Sequence, residues 1–124
     1  MKKHIFVVDD DEAILDVLKI ILEESGYKIT IISDGRDLLN KINTQKPDLI
    51  LLDIWLAGLD GEQITKQFKS DSKIAGIPII LISANNRGRQ IAVQSGADGF
   101  IAKPFEIEHL VQTVKKHLRP KKVN

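Results

Sequence analysis

A chain of 124 residues is long enough for one closed hydrophobic core and too short for two. Its 43% hydrophobic and 28% charged residues are ordinary for a folded domain and exclude a disordered or fibrous chain. Lys and Arg number 18 against 17 Asp and Glu, so a net charge of +1 gives no electrostatic reason to expect direct contact with nucleic acid or an anionic membrane, and the lack of cysteine excludes disulfides, thiolate catalysis and Cys-held zinc.

Met1-Lys2-Lys3-His4 runs straight into a short apolar segment and then acids, without the hydrophobic region or cleavage site of a secretory signal. No apolar run approaches the ~20 residues needed to span a bilayer. A cytoplasmic chain without a transmembrane helix is expected.

In chain order, residues 5–8 form the first expected strand. Ile14, Leu15, Leu18, Ile21 and Leu22 then repeat at helical spacing, with Asp11 as cap and Gly26 as terminator of a first helix. Residues 29–32 read as a second strand. The stretch from Tyr27 to Ile31 alternates, which suits a sheet edge, whereas the other strand runs are apolar throughout, as parallel strands covered on both faces should be. Leu38, Leu39 and Ile42 suggest a short second helix. Residues 49–52 make the third strand, and after the Asp60-Gly61 turn Ile64 and Phe68 suggest a short third helix. Residues 77–82 are the fourth strand, 89–94 a fourth helix, 99–101 a brief fifth strand, and 107–118 a last helix that Pro120 ends. The pattern is (βα)5: one α/β domain over residues 1–119 and a basic tail, 120–124.

Alternating strands and helices imply a parallel sheet with right-handed crossovers, so all strand carboxyl ends share one edge, and ligands of such sheets bind where the strand order reverses. At that edge strand 1 ends in Asp9-Asp10, followed by Asp11 and Glu12; strand 3 ends in Asp53, strand 4 in Ser83, and strand 5 is followed by Lys103. Were strands 1 and 3 neighbours, as in the 2-1-3-4-5 arrangement known for such sheets, the carboxylates would repel one another unless a cation or shared protons intervened. Mg2+, which takes one or two carboxylates plus phosphate oxygens, suits that inventory. Lys103 and Ser83 could then surround the equatorial oxygens of a phosphoryl group held on Asp53, a nucleophile that is already ionised and needs no general base. Each residue also has a plain reading when taken singly: helix caps for Asp9, Asp10 and Asp11, a turn for Asp53, a cap for Ser83, a solvated charge for Lys103. Their coincidence at one edge favours the chemical reading.

The matching stretches are Ile5-Phe6-Val7-Val8-Asp9-Asp10-Asp11-Glu12, Pro47-Asp48-Leu49-Ile50-Leu51-Leu52-Asp53, Leu59-Asp60-Gly61, Pro78-Ile79-Ile80-Leu81-Ile82-Ser83-Ala84, and Gly96-Ala97-Asp98-Gly99-Phe100-Ile101-Ala102-Lys103-Pro104-Phe105. Through them the chain resembles, from about His4 to Leu118, the receiver domain of bacterial two-component response regulators, chemotaxis regulators included. The resemblance implies a doubly wound, flavodoxin-like sheet of order 2-1-3-4-5. It implies phosphorylation of Asp53 by a histidine kinase or histidine phosphotransfer protein, with Asp10 and Asp53 as direct Mg2+ ligands, Asp9 helping through water and Trp55 lending its backbone carbonyl. Catalysis would be confined to the domain's own phosphorylation and dephosphorylation. It further implies that Ser83 moves toward the phosphoryl group and Phe100 turns inward, changing the helix 4, strand 5, helix 5 face that meets an output partner or a second copy of the chain. Phe100 as a static core aromatic is the alternative. Lys103-Pro104 resembles the family's cis peptide.

Trp55, Ala84, Asn85 and Pro104 should flank the site, Trp55 and Asn85 governing water's approach, although an exposed tryptophan serving an interface is an equal reading of Trp55. Where the family often has Met-Pro after the acceptor, this chain reads Trp55-Leu56-Ala57-Gly58-Leu59, and Phe100 lacks a tyrosine's hydroxyl. Two competing functions fit less well. A phosphohydrolase of the haloacid-dehalogenase type would need a second aspartate where Trp55 stands, and room for a cap domain. A phosphorylation-independent interaction module would not need the acidic set or Lys103. Nucleotide binding lacks a P-loop or a Gly-x-Gly-x-x-Gly run.

Overall fold

The computed structural model describes residues 2–56 and 59–118. The basic tail expected at 120–124, and Pro120 as a helix stop, lie outside them. Strands β1 (His4–Val8), β2 (Lys28–Ile32), β3 (Leu49–Asp53), β4 (Ile79–Ser83) and β5 (Gly99–Ala102) form one parallel sheet in the order β2-β1-β3-β4-β5. Helices α1 (Glu12–Glu24), α2 (Gly35–Gln45), α3 (Gly61–Ser70), α4 (Gly88–Ser95) and α5 (Ile107–Leu118) alternate with them. This is the expected doubly wound, flavodoxin-like (βα)5 fold, and its order reverses between β1 and β3.

Strand composition follows from the two layers that cover the sheet. Phe6, Val8, Ile50, Leu52, Ile79 and Leu81 point to the face packed by Leu38, Ile42, Ile64, Phe68, Ile91 and Ala92 of α2, α3 and α4. Ile5, Val7, Leu49, Leu51, Ile80, Ile82 and Ile101 point to the face packed by Leu15, Leu18 and Leu22 of α1 and by Leu110 and Val114 of α5. Successive residues therefore enter different cores, and β3 and β4 are buried along their whole length. β2, whose sequence alternates, is an edge strand with Lys28 and Ile31 exposed.

Asp11 caps α1 by accepting from the N–H groups of Ala13 and Ile14. The helix ends at Gly26, whose φ of 96° lets its N–H reach Glu23 O while Tyr27 N–H reaches Leu22 O. Several expectations are corrected. α2 and α3, expected to be short, run 11 and 10 residues, and α4 with 8 is the shortest helix among the described residues. Leu39 faces solvent, because burial of Gly35, Leu38 and Ile42 fixes the inner face of α2 and turns Leu39 away. β4 begins at Ile79 rather than 77. The stretch after β3 carries a two-residue antiparallel ladder, Trp55–Leu56 against Leu59–Asp60, with register Trp55↔Asp60 and Leu56↔Leu59.

Candidate functional site

Parallel register brings the chemistry to one rim. Val8 pairs with Leu52, so Asp9 and Asp53 leave adjacent strands side by side; Asp53 pairs with Ile82, one residue before Ser83, which pairs with Ala102, one before Lys103. Each of Asp9, Asp10 and Asp53 offers a carboxylate oxygen, and these oxygens lie within 4.8 Å of one another. Asp9 and Asp53 are buried and Asp10 is exposed. Lys103 Nζ is 2.8 Å from Asp9 Oδ2 and 3.7 Å from Asp53 Oδ2. Three acids and the amine expected at the switch point therefore converge.

Capping as the plain explanation of the acids holds for Asp11 alone. Asp9 accepts from Asp11 N–H through Oδ1 at 2.9 Å while Lys103 takes its other oxygen. Asp53 accepts one backbone donor, Trp55 N–H, at 3.3 Å. Burial, followed by the charge of Asp9, pushes the Asp53 carboxyl above its ordinary value. Lys103 and the Trp55 N–H pull it back, and Asp10 adds to the rise. For Lys103, burial works against the charge, but the hydrogen bond to Asp9 and the charges of Asp53, Asp9 and Asp11 outweigh it, and the amine is held above its ordinary value. One lysine does not neutralise three carboxylates. The donor set, three hard oxygens with one open to solvent, is of the kind that could hold a divalent cation such as Mg2+.

The other predicted residues stand on or just after strands β3, β4 and β5. Ser83 is buried, and its Oγ accepts from Asn85 N–H at 3.0 Å while its carbonyl accepts from Lys103 N–H at 2.9 Å. Ala84, Asn85 and Pro104 are exposed on the same rim, and the Lys103-Pro104 peptide is cis, as the resemblance implied. Trp55 is 54% exposed. Phe100, on β5, is half-buried with its ring against α4 at Gly88, and its ring centroid is 5.3 Å from the Arg89 guanidinium carbon. A Cβ added at Gly88 would lie 2.6 Å from Phe100 Cε1 and 3.1 Å from Ser83 Cβ, so Gly88 marks where Ser83 and Phe100 approach each other.

Some connections escape sequence reasoning. Lys69 Nζ donates to the carbonyls of Ala75 and Ile77 and pairs with Asp98 Oδ2, which also accepts from Ile79 N–H. Its position beyond the buried face of α3 gives no hint of this role. The Arg89–Phe100 stacking likewise joins residues without a local spacing signal.

With the fold and the cluster in hand, one further observation settles the family: the model of the response regulator receiver domain matches residues 5–115. The chain belongs to that family. Over 121 residues it is 39% identical to the alkaline phosphatase synthesis transcriptional regulatory protein PhoP of Bacillus subtilis, a match covering 96% of this chain and 50% of that protein. It is 36% identical to the DNA-binding response regulator MtrA of Mycobacterium tuberculosis, covering 96% and 52%. The receiver domain spans about half the length of these curated relatives. The chemotaxis response regulator CheY4 of Vibrio cholerae superposes with a TM-score of 0.88 at 26% identity, over 95% of this chain and all of that one. The chain is thus a signalling domain of two-component systems, and no helix of its described residues is long and apolar enough to cross a membrane.

Proposed function

We propose that this receiver domain accepts a phosphoryl group on Asp53 from a histidine kinase or histidine phosphotransfer protein and thereby changes the face it presents to an output partner. The observation that carries the reading is the meeting of Asp53 with Asp9, Asp10 and the Lys103 amine. In the transfer, an Asp53 carboxylate oxygen forms the new O–P bond as the P–N bond to the donor histidine breaks, and the released imidazole nitrogen takes a proton. Mg2+, held by Asp10 and Asp53 with Asp9 assisting and Trp55 lending its carbonyl, would neutralise the carboxylates and the phosphoryl oxygens. Lys103 holds a positive charge at the oxygens of the arriving group, and Ser83 supplies a hydroxyl to them. The chemistry acts on the domain itself and is not a turnover of external substrate.

Ser83 and Phe100 are the switch in this reading. Their approach at Gly88 supports it, since a hydroxyl drawn toward Asp53 would vacate space beside the ring. The helix α4, strand β5 and helix α5 surface would then change, by a population shift between two packings of similar energy. Trp55 and Asn85 flank the acceptor and govern water's approach. PhoP and MtrA, by name a transcriptional regulator and a DNA-binding one, extend well beyond the matched segment. An output domain attached to residues 1–119 is accordingly the partner proposed here, with contact between two receiver faces as its companion and no nucleic-acid contact by the receiver itself. A cytoplasmic location belongs to the same reading.

Incubation with acetyl phosphate and Mg2+ tests it. Intact-mass spectrometry should show one added phosphoryl group, lost in Asp53→Asn and when the metal is chelated. Absence of the adduct would favour a passive interaction module, and steady turnover of p-nitrophenyl phosphate would favour a hydrolase.

A further inference from the structure

The loop between β3 and α3 lacks the proline common in this family, yet it must hold Asp53 beside three charged groups. Two glycines stand against it. Gly61, the first residue of α3, lies so near the acceptor peptide that an added Cβ would sit 2.7 Å from Ile54 Cα, 2.8 Å from Ile54 O and 3.0 Å from Asp53 O. Gly35, the buried first residue of α2, lies under Leu59, and a Cβ there would be 2.5 Å from Leu59 Cβ and 2.6 Å from its Cγ. Neither glycine is required by backbone conformation, since the described glycines with positive φ are Gly26 and Gly96. What each supplies is the absence of a side chain.

Leu59 Cβ is fixed to its own backbone, so a change of rotamer would not make room for a methyl group at 35, and the loop itself would have to move. That movement has a direct route to the acceptor. Leu59 pairs with Leu56, the neighbouring Asp60 pairs with Trp55, and Trp55 N–H donates to Asp53 Oδ1. We infer that Leu59, seated on Gly35, is a positioning residue for the Asp53 carboxylate: α2 steadies the acceptor loop from one side as α3 does from the other. The inference rests on the proposed phosphoacceptor reading and adds to it the element that sets the acceptor's geometry.

The test uses the whole chain, with Mg2+ alone as the first probe, followed through emission of the single tryptophan, Trp55. Thermal unfolding and labelling of Asp53 by acetyl phosphate are measured in parallel. Gly35→Ala should weaken Mg2+ binding about fivefold or more and slow labelling to a similar degree, whereas Gly35→Ala/Leu59→Gly should recover to within about twofold of wild type, because removing the Leu59 side chain from Cβ outward makes room for the new methyl group. A lowered Tm with unchanged Mg2+ affinity would mean that the contact only stabilises the fold, and would overturn the inference. So would a double variant no better than Gly35→Ala. Should Gly35→Ala fail to fold, Leu59→Ala decides alone: about threefold weaker Mg2+ binding supports positioning, and unchanged binding rejects it. A wild type that neither binds Mg2+ nor takes a phosphoryl group would sink the phosphoacceptor reading and this inference together. Normal labelling in wild type and Gly35→Ala alike would sink only the inference.

Discussion

Asp53 combines burial with two like-charged neighbours, and its folded surroundings oppose its charge. Because its pKa is raised on folding, its contribution to stability is present below the ordinary carboxylate value near 3.8 and is lost as pH rises through the raised folded value. At neutral pH without metal the ionised group therefore works against the fold. Asp53→Asn, which keeps the shape and removes the charge, should raise the metal-free Tm at pH 7, by about 4 °C for each kcal/mol of repulsion relieved. The advantage should shrink as pH falls toward 4, and saturating Mg2+ should reduce or reverse it by binding wild type better. Thermal unfolding at several pH values with and without Mg2+ checks this; a variant less stable than wild type at every pH would contradict it. Lys103, whose pKa is also raised, contributes stability at neutral pH that is lost only on the alkaline side.

The acids and the amine were legible as residues because each follows directly on a strand, and parallel strands deliver their carboxyl ends to one edge. Asp9 and Asp10 could not be separated from Asp11 in the sequence. Only the hydrogen bonds distinguish a cap from a partner of Lys103. The seat of Leu59 on Gly35 was not legible, since it depends on how a loop after β3 lies across a helix that precedes β3.

Among elements, α1 and α4 differ at their starts. Both are followed by a left-handed glycine, but α1 has 13 residues and a capping aspartate, whereas α4 has 8, follows Arg87 without a side-chain cap, and carries Val93 77% exposed. A missing cap is worth ~1 kcal/mol, so the first-turn amides of α4 should exchange with deuterium about fivefold faster than those of α1. Equal protection of the two helix starts would reject this. Asp11 was legible as the cap of α1, whereas nothing in the sequence marked α4 as starting without one. In α2 helical periodicity admitted Leu39 to the inner face, and only packing shows that Leu38 and Ile42 fill it.

For the whole molecule, the sequence pattern reached (βα)5 and the strand order came from family likeness; the sheet agrees with both. Apolar strands buried on two faces explain why the architecture was readable, whereas ties between distant polar groups were not. Lys69 is the main case: its amine serves two carbonyls and Asp98, binding the end of α3, the approach to β4 and the turn before β5. Lys69→Met should cost ~2 kcal/mol by leaving those acceptors without a donor, lowering Tm by about 8 °C while leaving Mg2+ affinity within about twofold of wild type. A large loss of metal binding at unchanged Tm would contradict that assignment. The amino edge of the sheet is thus riveted across three segments, while the carboxyl rim holds a cluster of unbalanced charge. In the proposed switch, rearrangement would then resemble the spreading of a fan, with the greatest travel at the rim and the least at the base, so a tag or fused domain at the base would sense far less of the signal than a partner resting on the blades.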